Sequence, residues 1–331
     1  MKLLKLTLEN FRGAPDGALS FAHPATGKPH DLTLITGGAA SGKTSILEAI
    51  AAVKELVGGY GPPPDPSMLR RSGAASGKIA ATWLLTSAEA EMAEVKGPTL
   101  ITEVSLTDGP VPLFDPGVRS LFAAYAPEPS KGKFEFFPAN RRISLLPAPP
   151  RRPASSYTDA RLRLSQDPGK YAGLRAILLD LAIHDAMQAA ERLATRGLVT
   201  RWEQPDSFAP IKNSLSALAP WLRLVGVRQE QSTATVRFLR DNGAELELAD
   251  LSEAEQQAVL FAVTFDRIGL SRSIVLIDQP ELFLHPEEHA PWLQTIAGLG
   301  ADNQIIAATT SPMVLEMVSQ QQILRLGMKP R

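Results

Sequence analysis

One stretch of eight residues, GGAASGKT at 37–44, constrains this chain more than any other. It matches G-x-x-x-x-G-K-[ST]. A short apolar run at 32–35 precedes it, and a helical apolar pattern runs from Lys43 to about Val57. A strand, a glycine turn and a helix start in that order suit one kind of ligand. Gly37 and Gly42 let the backbone curl so that N–H groups converge on a phosphate. Gly38, Ala39, Ala40 and Ser41 complete the cradle, and the helix N-terminus behind it favours anions. Lys43 neutralises charge on the β- and γ-phosphates, and the Thr44 hydroxyl suits Mg²⁺. ATP and Mg²⁺ are therefore the expected cofactors. The letters GAASGK recur at 73–78. There Ser72 replaces the first glycine, Ile79 replaces the hydroxyl, and a strand follows, so this copy is expected to be a loop that binds no phosphate.

Bulk properties remove several alternatives. The 331 residues are 44% apolar and 21% charged, which fits a globular chain with a sizeable core. A net charge of −1 gives no overall pull toward DNA or an anionic membrane. With no cysteine, disulfides and thiolate metal sites are excluded. The start, MKLLKLTLENFRG, alternates and lacks a signal-peptide core, and no apolar run reaches about 18 residues. A cytoplasmic protein without membrane contact is expected.

Strands are expected at 2–8, 18–21, 78–86, 99–107 and 119–126, with a Gly/Pro-rich loop at 58–77. Residues 144–156, SLLPAPPRRPASS, read as a Pro-rich linker. Helices are expected at 171–196 and 208–218. Asp241-Asn242-Gly243 signals a hairpin between strands at 235–239 and 245–248. The last eighty residues alternate: helix 252–268, strand 273–278, helix 287–298, strand 304–309, helix 312–319, strand 322–326. That is the pattern of a parallel sheet with covering helices. No long heptad array predicts a coiled-coil arm.

Two later motifs narrow the chemistry. In LSEAEQQAVL, 251–260, Ser252-x-x-Glu255 is a capping box opening an amphipathic helix. In VLIDQPELFLHP, 275–286, an apolar strand delivers Asp278 to a site, as a Mg²⁺-associated carboxylate. The first resembles the LSxGEQQ signature of ABC-type ATPases. With QIIAATTSP (304–312), LENFRG (8–13), FFPANRRI (136–143) and PELFLHP (280–286), the set resembles the ATPase heads of the RecF/SMC/OLD group, a branch of the ABC-type ATPases. The resemblance covers 1–57 and 235–331.

It implies an α/β fold, a P-loop NTPase of ABC-ATPase type, with a mixed central sheet, an antiparallel β lobe and a small helical insertion. The corresponding segments are an ATPase lobe at 1–150, a helical insertion at 151–220 and a second lobe with signature and Asp strand at 221–331. It also implies a homodimer or higher assembly, with each ATP between the phosphate loop of one copy and Ser252 and Glu255 of another. Arg12 is placed where the group's arginine often reaches the nucleotide; whether it does so here stays open.

The chain departs from the group at three positions. Gln279 stands where the catalytic glutamate belongs; an amide can hydrogen-bond water but is no useful base. Thr310 stands where a switch histidine is usual, and Ala254 replaces the signature glycine. Glu281 is the nearest carboxylate that can stand in for position 279, as can a residue from a partner. The expectation is an ATP-binding switch with slow or partner-dependent hydrolysis. It would regulate a separately encoded effector in DNA repair or anti-phage defence, because the chain ends at Arg331 without a nuclease domain or arm. The alternatives are a fully active DNA-stimulated ATPase, a transporter subunit, and a scaffold with structural nucleotide.

Other candidates read blandly. His285 and His289 fit H-x-x-E-H, but Pro286 at the first helical position puts His285 at the cap, away from a two-histidine face. His184 has no partner at ligand spacing. The pairs Arg70-Arg71, Arg141-Arg142 and Arg151-Arg152, with Arg161 and Arg163, are either a phosphate-backbone patch or scattered charge. Trp221 and the hairpin are expected in the core.

Overall fold

The computed structural model describes residues 1–58, 64–109, 113–123, 132–143, 168–171, 173–196, 206–230 and 233–327. The chain forms two compact units. The first gathers Met1–Ala139 and Gly269–Arg331; the second holds the described residues between Asn140 and Ile268. These limits differ from the segment boundaries expected at 150 and 220, because strands from both ends of the chain share one sheet.

The first unit contains β1 (Lys2–Glu9), β2 (Gly17–Ser20), β3 (Leu32–Gly37), α1 (Lys43–Gly58), α2 (Pro66–Leu69), β4 (Lys78–Leu84), α3 (Ser87–Met92), β5 (Thr99–Ser105), α4 (Pro116–Ala123) and β6 (Phe134–Phe137). The second contains α5 (Leu174–Arg196), α6 (Ala209–Leu218), β7 (Leu222–Glu230), β8 (Thr233–Arg240), β9 (Glu245–Glu247) and α7 (Glu253–Ile268). The chain then returns to the first unit with β10 (Ile274–Asp278), α8 (His289–Gly298), β11 (Gln304–Ala308), α9 (Pro312–Glu316) and β12 (Ile323–Leu326).

The mixture of parallel and antiparallel pairing expected of the central sheet is divided between two sheets of the first unit. One is parallel, in the order β12-β3-β11-β10-β6; the other is antiparallel, in the order β2-β1-β4-β5. Helix α1 packs against strands of both. Its buried residues, from Ile46 through Val57, surround the axis rather than forming one stripe, as a helix enclosed on all sides requires. The side-chain amide of Gln304, on β11, joins the sheets from inside: it accepts from Leu3 N at 2.6 Å and donates to Leu3 O at 2.9 Å on β1. Both its polar atoms are thereby satisfied in a site without solvent access.

An aromatic cluster closes the core. The Trp83 ring meets Phe122 and Phe134 edge-on, at centroid separations of 5.3 and 5.6 Å, and its Nε1–H donates to Thr102 Oγ1 at 2.8 Å. Phe122 corrects one expectation. Residues 119–126 were expected as a strand, yet α4 occupies Pro116–Ala123. Its buried residues Val118, Leu121 and Phe122 are spaced i, i+3, i+4, and Pro116 suits a helix start. Strand β6, FEFF, is buried at all four positions, so no alternation marks it. The 58–77 loop includes the short α2, and the second GAASGK is a loop running into β4, as expected.

In the second unit, α5 packs on β7 and β8, and α6 packs on β7 and α7. The hairpin turns at Asp241–Gly243, with Gly243 at φ 84°. Leu222, Leu224, Val236 and Phe238 are buried, as the alternation predicts. Trp221 is not: it is 40% exposed, because it precedes β7 on the opposite side of the pleat from Leu222. Residues 144–156 and Arg151, Arg152, Arg161 and Arg163 lie outside the described residues.

Candidate nucleotide site

Parallel register sets the site. Ala308 pairs with Ile35 on one side and Asp278 on the other, so β3, β10 and β11 end level. Ligands of open parallel sheets bind beyond such carboxyl ends. The phosphate loop leaves β3 there and enters α1.

The loop is closed on itself. Lys43 Nζ donates to Gly37 O and Gly38 O, both at 2.9 Å. Gly42 has φ 95°, and a Cβ there would lie 2.6 Å from Gly13 O and 2.8 Å from Ala14 Cα. A Cβ on Gly37 would meet Leu326 O at 2.9 Å. Both glycines are thus required by backbone approach as well as by curvature. Gly13 and Ala14 belong to the FRG turn, so this turn buttresses the phosphate loop. Ala40 takes φ 58° within the loop, and Ser41 is buried.

Thr44 Oγ1 donates to Asp278 Oδ2 at 2.8 Å, although 234 residues separate them. A hydroxyl and a carboxylate in contact beside a phosphate loop are hard oxygen donors of the kind Mg²⁺ selects. Lys43, the loop and this pair fit a Mg²⁺-nucleotide.

Gln279 follows Asp278 at φ 49°, half-buried, with its N–H donating to Ala308 O at 2.8 Å. Glu281 is 9% exposed. Its Oε1 accepts from Thr309 Oγ1 at 2.8 Å and from Thr310 N at 3.1 Å. Thr309 N donates to Ile35 O, and Ser311 N to Thr309 Oγ1, both at 3.0 Å. The Glu281 carboxylate therefore holds the turn that carries Thr310, and Thr310 itself is exposed. Ser311 Oγ lies 2.9 Å from His289 Nδ1, and His289 Nε2 lies 3.1 Å from Leu284 O. The second bond requires a proton on Nε2, so the ring pins the turn to the PELFLHP segment. His285 is exposed, and its N–H donates to Glu288 Oε2 at 3.0 Å, the capping contact expected of that position. Thr309 and Ser311 escaped the sequence reading, where adjacency to Thr310 was their only signal; His289 was weighed there only as half of H-x-x-E-H, without this role.

Arg12 Nη1 binds Glu48 Oε2 on α1 at 2.8 Å, one turn beyond Thr44. Arg71 forks onto Asp16 and also donates to Ala14 O and Arg12 O, which fixes the FRG turn. Arg70 donates to Ala75 O, Leu106 O and Asp108. Both residues of this pair serve the fold. His184 is exposed and meets Gln188 at 2.7 Å.

In the second unit, Ser252 and Glu255 form the expected capping box at the start of α7. Ser252 N donates to Glu255 Oε2 at 2.8 Å, and Glu255 N to Ser252 Oγ at 3.3 Å. Arg240 adds a fork to Glu255, Nε to Oε1 at 2.7 Å and Nη2 to Oε2 at 2.6 Å. Burial alone would raise the Glu255 pKa, but the guanidinium and the Ser252 donors overcome it and hold it at about 2. Arg141 is 1% exposed, donates to Gln257 Oε1 at 2.6 Å and lies 5.4 Å over the Phe261 ring, so it is bound to α7.

Residues 120–316 match the family described as "AAA domain, putative AbiEii toxin, Type IV TA system", more than half of the chain. The chain belongs to this family. No curated protein sequence matches it significantly. Among solved structures, it is similar to an SMC head bound to the C-winged helix domain of ScpA, at 13% identity and TM-score 0.56, covering 99% of this chain and 95% of that one. An SMC head from Thermotoga maritima matches at 14% identity and TM-score 0.47, covering 99% and 94%. The chain of this AAA-domain protein has the fold of the first of these, an SMC head. Among its described residues, no helix is long and apolar enough to cross a membrane.

Proposed function

We propose that this AAA-domain protein is an ATP-controlled switch that binds Mg²⁺-ATP, associates face to face with a second copy, and hydrolyses slowly. The observation that carries the reading is the contact of Thr44 with Asp278 beside a Gln at 279. The binding half of the site is intact, and the residue that would take the proton of water is an amide. Lys43 would leave the Gly37 and Gly38 carbonyls for the β- and γ-phosphates, and the loop N–H groups would hold the β-phosphate. Thr44 and Asp278 would hold Mg²⁺, which neutralises phosphate charge when bound. Gln279 can orient water by a hydrogen bond but cannot remove its proton. Glu281 is engaged with Thr309 and Thr310, which favours a role in holding the switch turn over a role as base. Arg12, freed from Glu48, would add positive charge near the loop.

Ser252, at a capped helix start, would meet the γ-phosphate on the other copy. An exposed aromatic supports a mating surface: Phe283, four residues past Gln279, is 43% exposed and held at φ 69°, a conformation bulky residues rarely adopt without a use. The family's description as a putative toxin favours a role within a defence or toxin system that includes a separately encoded partner. The SMC head with a bound winged-helix domain supports the capacity of this fold to carry such a partner. Light scattering with and without Mg²⁺-ATP tests the reading. The natural protein should double in mass with ATP, while Lys43→Ala and Ser252→Arg stay at the starting mass. An unchanged mass for the natural protein at saturating ATP refutes it.

A further inference from the structure

The Arg240–Glu255–Ser252 cluster contains more than a helix cap needs. Ser252 and Glu255 already satisfy each other reciprocally. Yet β8 ends on Arg240, whose guanidinium forks onto the same carboxylate. Count the donors on Glu255 Oε2: Ser252 N–H at 2.8 Å, Arg240 Nη2 at 2.6 Å and the Ser252 hydroxyl at 3.0 Å. A carboxylate oxygen has two lone pairs in its plane, so three donors compete. A charged guanidinium at short range and a backbone N–H fixed by the helix outbid a neutral hydroxyl that can rotate.

We infer that Arg240 is a positioning residue for Ser252: by crowding Oε2 of Glu255, it leaves the serine hydroxyl as the weakest-held donor of the cap, free to turn to the terminal phosphate of a nucleotide on a second copy. This rests on the reading of Ser252 as a ligand across a face-to-face assembly. Without Arg240, the carboxylate regains lone pairs for the hydroxyl. It also places an uncompensated negative charge beside the arriving phosphate. Both effects oppose assembly, and neither touches the phosphate loop. The hairpin thereby acts on the signature: Asp241 N donates to Trp221 O and Arg240 N to Ala244 O, so the turn that fixes Arg240 also holds the exposed Trp221 backbone.

The test uses the full chain with Mg²⁺-ATP and reads two quantities, the concentration at which copies associate and the affinity of single copies for a fluorescent ATP analogue. Arg240→Gln should weaken association at least tenfold and leave analogue affinity unchanged. Arg240→Lys, which keeps the charge, should lose less. The decisive variant is Arg240→Gln with Glu255→Gln: removing the carboxylate should restore association to within about threefold of the natural protein. A bridge that only stabilises the fold predicts the opposite, a double variant no better than the single one, and that result overturns the inference. Association by Arg240→Gln at the natural concentration overturns it too. Ser252→Arg separates the two levels. If Ser252→Arg associates normally, the face-to-face reading fails; if it does not associate and the Arg240 variants behave as the natural protein, only the role of Arg240 fails.

Discussion

Replacing Glu281 separates an anchor from a base. In Glu281→Ala, the Thr309 hydroxyl and the Thr310 N–H lose their acceptor, and Thr309 has no solvent access. Leaving the buried Thr309 hydroxyl unmet costs about 1–3 kcal/mol, while at the exposed Thr310 water can replace the carboxylate as partner of the N–H. For a unit of about 200 residues, that corresponds to a fall in Tm of roughly 2–8 °C. Glu281→Gln keeps an sp² oxygen for both donors and removes a buried charge, so it should cost under about 1 kcal/mol. The assay is a thermal melt and ATP turnover on the same samples. An anchor predicts that Ala lowers Tm while Gln leaves both Tm and the low turnover near natural values. If Glu281→Gln melts normally yet falls to the turnover of Lys43→Ala, the carboxylate handles the attacking water and the anchoring argument is wrong.

Three further outcomes follow from other parts of the first unit. Gly42→Ala forces a Cβ to 2.6 Å from Gly13 O at φ 95°, and should abolish binding of a fluorescent ATP analogue; retained affinity would show that the loop can shift. Glu55 lies on α1, where burial pushes its carboxyl up to about 7 and the Arg12 charge offsets only part of the rise. An acid raised in the folded state stabilises below its unfolded pKa near 4.5, and that contribution is lost as pH rises toward 7. Glu55→Gln should therefore match the natural protein in urea unfolding at pH 4.5 and exceed it by about 2–3 kcal/mol at pH 8; a pH-independent difference would contradict this. Thr102→Val strips the partner of Trp83 Nε1 in the core and should cost about 1–3 kcal/mol by the same unfolding assay, with no cost refuting the role given to that bond.

The phosphate loop, the capping box at Ser252 and the strand ending on Asp278 were legible because each is a local pattern whose chemistry demands its neighbours. What was not legible was nonlocal. Nothing in the letters places β11 between β3 and β10, or divides the strands between a parallel and an antiparallel sheet. Helix α4 was misread because the apolar run at 121–126, taken with the two residues before it, masked the i, i+3, i+4 spacing that begins at Val118. Strand β6 was missed because a buried edge strand shows no alternation. Glu281 could be named from its place in PELFLHP, but its partners lie 28 and 29 residues away, on the turn after β11. Arg240 carried no signal at all, since its value lies in a carboxylate 15 residues on.

In the proposed switch, position 279 makes the site hold ATP rather than hydrolyse it. Steady-state ATP turnover of the natural protein, Gln279→Glu and Lys43→Ala decides this. A tenfold rate change needs only about 1.4 kcal/mol, and general acid–base help is worth about 10²–10⁴ in rate. An amide at 279 should keep natural turnover close to that of Lys43→Ala, and Gln279→Glu should raise it at least a hundredfold. Brisk turnover by the natural protein, with no gain in Gln279→Glu, would contradict it.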